Sequence, residues 1–177
     1  YLGKDGAVQT GWKNINGNRY YFEVKGDKRG QAVIGQVKLD KKDYYFGKDG
    51  AMVTSKRVKV GDNYYYFGED GVKVTSEKVK VGDNYYYFGE DGAMVTSKNI
   101  SIGDNNYYFG EDGTMARFKM IKLGNQYCYF KSSGKMVKHL SLKISFLTVG
   151  LISTIVFIIA KRNKYSEQNK EDLATNI

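Results

Sequence analysis

Histidine and cysteine, the side chains most used for proton transfer, nucleophilic attack and metal binding, occur once each in this 177-residue chain, as His139 and Cys128. A triad needs a nucleophile held against a base, and a structural zinc site needs several such ligands, so neither chemistry is expected. One cysteine forms no intrachain disulfide. The carboxylates recur at turn positions, which fits solvated loops better than a paired glycosidase acid and base. What the chain has in quantity is rings and cations: 16 Tyr, 9 Phe and one Trp, interleaved with 28 Lys and Arg. Ring faces attract cations and stack on the apolar faces of sugars, and guanidinium or ammonium groups hold phosphates. Binding is therefore expected rather than catalysis, with no metal and no cofactor.

These side chains are positioned by a repeat. Tyr-Phe pairs end at Phe22, Phe46, Phe67, Phe88, Phe109 and Phe130, so by subtraction one step of 24 residues is followed by four of 21. A fixed period of this length marks a repeat architecture in which neighbouring units share a core. In Lys56 to Phe67, Val58 and Val60 alternate with Arg57 and Lys59, the period of a half-buried strand. Gly61, Asp62 and Asn63 supply a turn, and Tyr64 to Phe67 return as the second strand. Alternation puts Tyr65 and Phe67 on one face, Tyr64 and Tyr66 on the other. One face is expected to be core and the other free to bind. An isolated hairpin is marginal in water, so the predicted fold is all-β, a solenoid of stacked hairpins over residues 1–139.

The connections Gly47-Lys48-Asp49-Gly50, Gly68-Glu69-Asp70-Gly71, Gly89-Glu90-Asp91-Gly92 and Gly110-Glu111-Asp112-Gly113 read as tight loops. Calcium takes about six to eight oxygens and each loop offers at most two carboxylates, so solvated turns are expected.

Gly6-Ala7-Val8-Gln9-Thr10-Gly11-Trp12 followed by Arg19-Tyr20-Tyr21-Phe22, with Gly50-Ala51-Met52 and Gly92-Ala93-Met94 keeping the turn, resembles a known pattern. It is that of the cell-wall-binding repeats of choline-binding proteins, glucosyltransferase glucan-binding regions and large clostridial toxins. The resemblance implies noncovalent binding of wall choline, glucan or cell-surface oligosaccharide. In choline-binding members the tryptophan of the Thr-Gly-Trp step and aromatics of the next strand cage a quaternary ammonium. Here Trp12 alone holds that first place. Aligned from the turn, later repeats offer Gln36, Lys56, Glu77, Lys98 and Lys119; aligned back from the Phe, the central ones offer Arg57, Lys78 and Asn99. A cation in the cage wall repels choline, which disfavours choline in the middle repeats. Sugar stacking needs only a flat ring with polar neighbours. The candidate glycan or wall-polymer contacts are Trp12, Tyr21, Tyr45, Tyr64, Tyr66, Tyr85, Tyr87 and Tyr108, each with hairpin packing as the competing role. Met52, Met94, Met115 and Met136 are expected to pack. Arg57, Lys59, Lys78 and Lys80 form a basic strip suited to teichoic acid or another anionic polymer, or else a solvated face.

Before His139 there are 23 Lys and Arg against 16 Asp and Glu, so the repeats carry +7 of the net +9. Acidic residues punctuate every repeat and no reading module occurs, so nucleic acid is not an expected partner. Ile144 to Ala160 is uncharged and, extended to Leu140, reaches bilayer length, with Lys161, Arg162 and Lys164 beyond it. A single-pass helix at 140–160 is predicted, with a polar tail at 161–177 and the repeats displayed outside a Gram-positive-like cell. Sortase attachment is not expected, since its Leu-Pro-x-Thr-Gly signal needs a proline and the chain has none. A start at Tyr1 within a repeat, with no initiator Met or apolar leader, reads as a fragment. A targeting region of a larger wall hydrolase, glucosyltransferase or toxin, and a ligand-free stalk, are the alternatives.

Overall fold

A computed structural model describes residues 1–140, with side chains through residue 137. The fold is all-β. Its strands pair antiparallel as hairpins: β1 (Gly11–Ile15) with β2 (Asn18–Phe22), β3 (Gly35–Leu39) with β4 (Lys42–Phe46), β5 (Lys56–Val60) with β6 (Asn63–Phe67), and β7 (Glu77–Val81) with β8 (Asn84–Phe88). β9 (Lys98–Ile102) and β10 (Asn105–Phe109) form the fifth. β11 (Lys119–Leu123) and β12 (Gln126–Phe130) form the sixth, extended to three strands by β13 (Met136–Leu140). Leu140, assigned above to the membrane span, ends this strand instead, backbone-paired with Tyr127. The rest of the predicted span and the tail lie outside the described residues.

Register follows from the turns. Val60 pairs with Asn63, so the loop is the two residues Gly61 and Asp62, and Asn63, expected in the turn, begins β6. Only the first loop residue takes a positive φ, Gly61 at 59°, the signature of a type II′ turn that matches strand twist. Asn16 and Gly17 are both positive, at 49° and 80°, as a type I′ turn requires. Asp40 and Lys41 adopt the same pattern, 48° and 67°, without a glycine.

Contacts divide the described residues into two units, one of residues 1–98 with 109–115 and one of 99–108 with 116–140. In the first, the linkers staple consecutive hairpins. The Met52 amide donates to the Arg19 carbonyl of the preceding hairpin (2.7 Å), while the neighbouring Val53 amide donates to Tyr45 of its own (2.8 Å). Lys73 to Asp43, Met94 to Tyr64 and Met115 to Tyr85 repeat the backward bond at 2.7–2.8 Å. Buried backbone donors need partners, so this bond sets which hairpin faces meet. Gly71 turns the loop at φ 79°, a conformation that favours glycine, and a Cβ there would have to displace the end of the Met52 side chain.

The core is the Phe column. Phe46, Phe67, Phe88 and Phe109 are fully buried, and each of the last three rings meets a tyrosine of the preceding hairpin: Tyr45 with Phe67 at 5.7 Å between centroids, Tyr66 with Phe88 at 5.8 Å, Tyr87 with Phe109 at 5.9 Å. Thus the face bearing Tyr66 on one hairpin packs onto the face bearing Phe88 on the next. Both faces of a hairpin are structural, where alternation had left one free. In the second unit Ala116, Cys128 and Phe130 form the core, with Tyr108 packed on Phe130 at 6.2 Å. Met52 and Met136 pack against these cores and Met115 is buried.

Candidate functional site

The backbone decides between the two alignments of the cage position. Trp12 pairs across the hairpin with Tyr21, and Arg57 pairs with Tyr66. Counting back from the Phe is therefore the register that places side chains alike, and Arg57, not Lys56, stands where Trp12 does.

Trp12 is the centre of a three-ring site between the first two hairpins. Its indole lies 5.2 Å from Tyr21 at an interplanar angle of 73° and 5.1 Å from Tyr44 of the next hairpin at 72°. Phe46 closes the floor at 5.9 Å. Edge-to-face rings of this kind leave a ring face open to a cation. One is present already: the exposed Arg19 side chain places its guanidinium carbon 4.1 Å from the Trp12 ring centroid.

Trp12 and Arg19 occupy diagonal cross-strand positions on one hairpin face. Arg57 and Tyr64 hold the same two places on β5 and β6 with ring and cation exchanged, 5.1 Å apart. Lys78 and Tyr85 on β7 and β8 repeat the exchanged order at 5.4 Å. In the first hairpin the ring is the inner member and the cation the outer; in the third and fourth the cation is inner. Arg57 accordingly reaches the next hairpin as Trp12 does, its guanidinium 4.6 Å from Tyr86 and its Nη1 3.5 Å from the Met94 sulfur.

The residues singled out from the sequence thus separate. Trp12 and Tyr21 share one site. Tyr45, Tyr66, Tyr87 and Tyr108 are half-buried and lie in the hairpin joints, against Phe67, Phe88, Phe109 and Phe130. Tyr64 is exposed and Tyr85 half-buried, each beneath a cation of its own hairpin. In the basic strip Arg57 and Lys78 are half-buried on rings, whereas Lys59 and Lys80 are exposed, with Lys59 Nζ 5.9 Å from Tyr64. Three contributors were not singled out: Arg19, Tyr44 and Tyr86. The tyrosines lie two residues before their Phe, on the face that carries it, and only tracing alternation across two successive repeats would have brought them to the site.

The acidic loops have a structural role. The Asp49, Asp70, Asp91 and Asp112 carboxylates each accept the amide two residues on, Val72 to Asp70 at 2.9 Å for example. These are Asx-turns, in which one carboxylate oxygen satisfies the loop backbone. One further charge pair is informative: Lys73 and Asp43, 3.2 Å apart and largely buried, replace the Met94 and Tyr64 of the following repeat.

A stack of aromatic hairpins with ring sites at the joints defines a class of repeat module. Matches to the choline-binding repeat at residues 9–56, 33–77, 56–99 and 74–119 cover more than half of the chain, which belongs to that family. The fold is similar to that of CbpF in complex with ipratropium, with a TM-score of 0.62 and 26% identity over 78% of this chain and 42% of that one. The choline-binding domain of CbpL from Streptococcus pneumoniae superposes with a TM-score of 0.55 and 29% identity, over 73% of this chain and 65% of that one. Glucosyltransferase-I of Streptococcus downei is 37% identical over 79 residues, 33% of this chain and 5% of that protein. The chain therefore spans only part of the length of each of these proteins.

Proposed function

We propose that this chain is a non-catalytic module that holds its protein to a cell-wall polymer, taking a quaternary ammonium group of that polymer, such as choline, at the Trp12–Tyr21–Tyr44 site. The observation that carries the reading is that three-ring arrangement, in which two tyrosines meet the indole edge-on and its face holds only an exposed, displaceable arginine. Each cation–ring contact contributes roughly 0.5–2 kcal/mol, and displacing the exposed Arg19 costs about 0.5–1 kcal/mol. For three such contacts the middle of the resulting range, about 3 kcal/mol net, corresponds to a dissociation constant on the order of 10 mM for free choline. Affinity that weak becomes retention on a polymer only through repeated contacts along the wall. The exposed Lys59 and Lys80, one repeat apart, support a second contribution, attraction of the same polymer's phosphates. Sugar stacking on the exposed ring of Tyr64 belongs to the same reading. The apolar run up to Ala160, with Lys161 and Arg162 after it, is consistent with a membrane tether that displays the repeats at the cell surface.

Trp12 is the only tryptophan, so its fluorescence reports this site alone. Titrating the full chain with choline chloride should shift that emission and release the protein from purified walls, while Tyr44→Ala weakens both effects. Stripping teichoic acid should lower retention, and raising salt should remove the lysine contribution. An emission unchanged by choline, together with no retention on walls, would refute the proposal and leave a stalk.

A further inference from the structure

The exchange of ring and cation between the first and third hairpins has a consequence for the site between hairpins three and four. Its walls are intact: Tyr86 stands where Tyr44 does and Tyr66 where Tyr21 does, and Tyr64 adds a ring that the first site lacks. What differs is that the inner position carries Arg57. Its guanidinium lies 4.6 Å from the Tyr86 centroid and 5.1 Å from that of Tyr64, with Nη1 3.5 Å from the Met94 sulfur. It is half-buried, where Arg19 is exposed.

We infer that Arg57 is a built-in ligand: its guanidinium occupies the aromatic site between hairpins three and four, closes it to external cations, and so sets the specificity of that repeat. A covalently attached cation loses no translational freedom on binding, so a free ammonium ion must compete with an intramolecular partner. It must also approach a fixed like charge. Arg19 imposes a smaller barrier, because it sits exposed on the outer position and leaves for solvent without vacating a buried place. Met94 adds a polarizable sulfur to the Arg57 site, and its backbone amide, bonded to the Tyr64 carbonyl at 2.7 Å, holds that residue's backbone beside the same hairpin.

The comparison with the first site rests on the proposed reading of Trp12, but the closure of the Arg57 site is testable without it. Equilibrium dialysis of the full chain against labelled choline chloride counts ions bound per chain. Arg57→Trp is expected to bind one choline more than the wild type, and adding Tyr86→Ala to that variant should abolish the gain. If the wild type binds none, the Trp12 reading fails, while one site gained in Arg57→Trp still upholds the inference. Unchanged stoichiometry in an Arg57→Trp chain with a native near-ultraviolet spectrum would overturn it. A second measurement needs no substitution. In the wild type the Arg57 Nε–H resonance should stay in place at saturating choline, and a shift there as large as that of the Trp12 indole N–H would equally overturn it.

Discussion

Replacing Phe88 with alanine should unfasten two hairpins and spare a third. Phe88 is fully buried and its ring meets Tyr66 of the preceding hairpin at 5.8 Å, so truncation leaves a cavity at the joint as well as in its own hairpin. Phe-to-Ala changes in cores cost about 3–5 kcal/mol, the ring contact included. In a repeat stack each unit depends on its neighbours, so the loss should fall on β5–β6 and β7–β8. At about 1.4 kcal/mol per decade, a loss of 3 kcal/mol is roughly a hundredfold faster amide exchange through local opening. Hydrogen exchange of the full chain, read by mass spectrometry on peptides from β1 to β8, measures this directly. Phe88→Leu, which keeps most of the volume, should lose about a third as much. A change below about fivefold in β7–β8 would show that the Phe column does not hold the hairpins together. Equal acceleration in β1–β2 would refute the nearest-neighbour reasoning, because the defect would then have spread through hairpins it does not touch.

Asp70→Asn should leave thermal stability within about 0.5 kcal/mol, since an amide oxygen accepts the Val72 amide as the carboxylate does, whereas Asp70→Ala should cost about 1 kcal/mol. A loss as large in the Asn variant, recovered by added calcium, would point to a metal loop instead. Lys41→Gly should raise stability by roughly 0.5–1 kcal/mol, because Lys41 holds φ at 67° where a Cβ is strained, and the melting temperature tests it. The Lys73 and Asp43 pair should be strongly coupled: Asp43→Ala alone should cost about 1–2 kcal/mol by leaving a largely buried ammonium. The double change Asp43→Tyr with Lys73→Met, which installs the pair of the next repeat, should be close to neutral in a double-mutant cycle. Additive single effects would show that the ion pair contributes nothing specific.

Much of this molecule is local and could be read along the chain. The alternation of Val58 and Val60 with Arg57 and Lys59, the Gly61-Asp62 turn and the spacing of the Phe column are properties of one hairpin and its recurrence, so strand order, pairing and the buried Phe follow from sequence. The resemblance carried by Gly11-Trp12 and Tyr20-Tyr21-Phe22 also pointed to the family. What depends on two hairpins at once was not legible. The amide of Met52 reaches back to Arg19, 33 residues earlier, and it is this bond that brings the Tyr21 face of one hairpin onto the Tyr44 and Phe46 face of the next. That meeting of faces turned Tyr45, Tyr66 and Tyr87 into joints, set the buried Tyr44 and Tyr86 against the inner residue of the preceding hairpin, and settled which of two registers put Arg57 in the place of Trp12. Alternation determines the two faces of a strand pair, but only the linker's long-range hydrogen bonds decide which faces become neighbours.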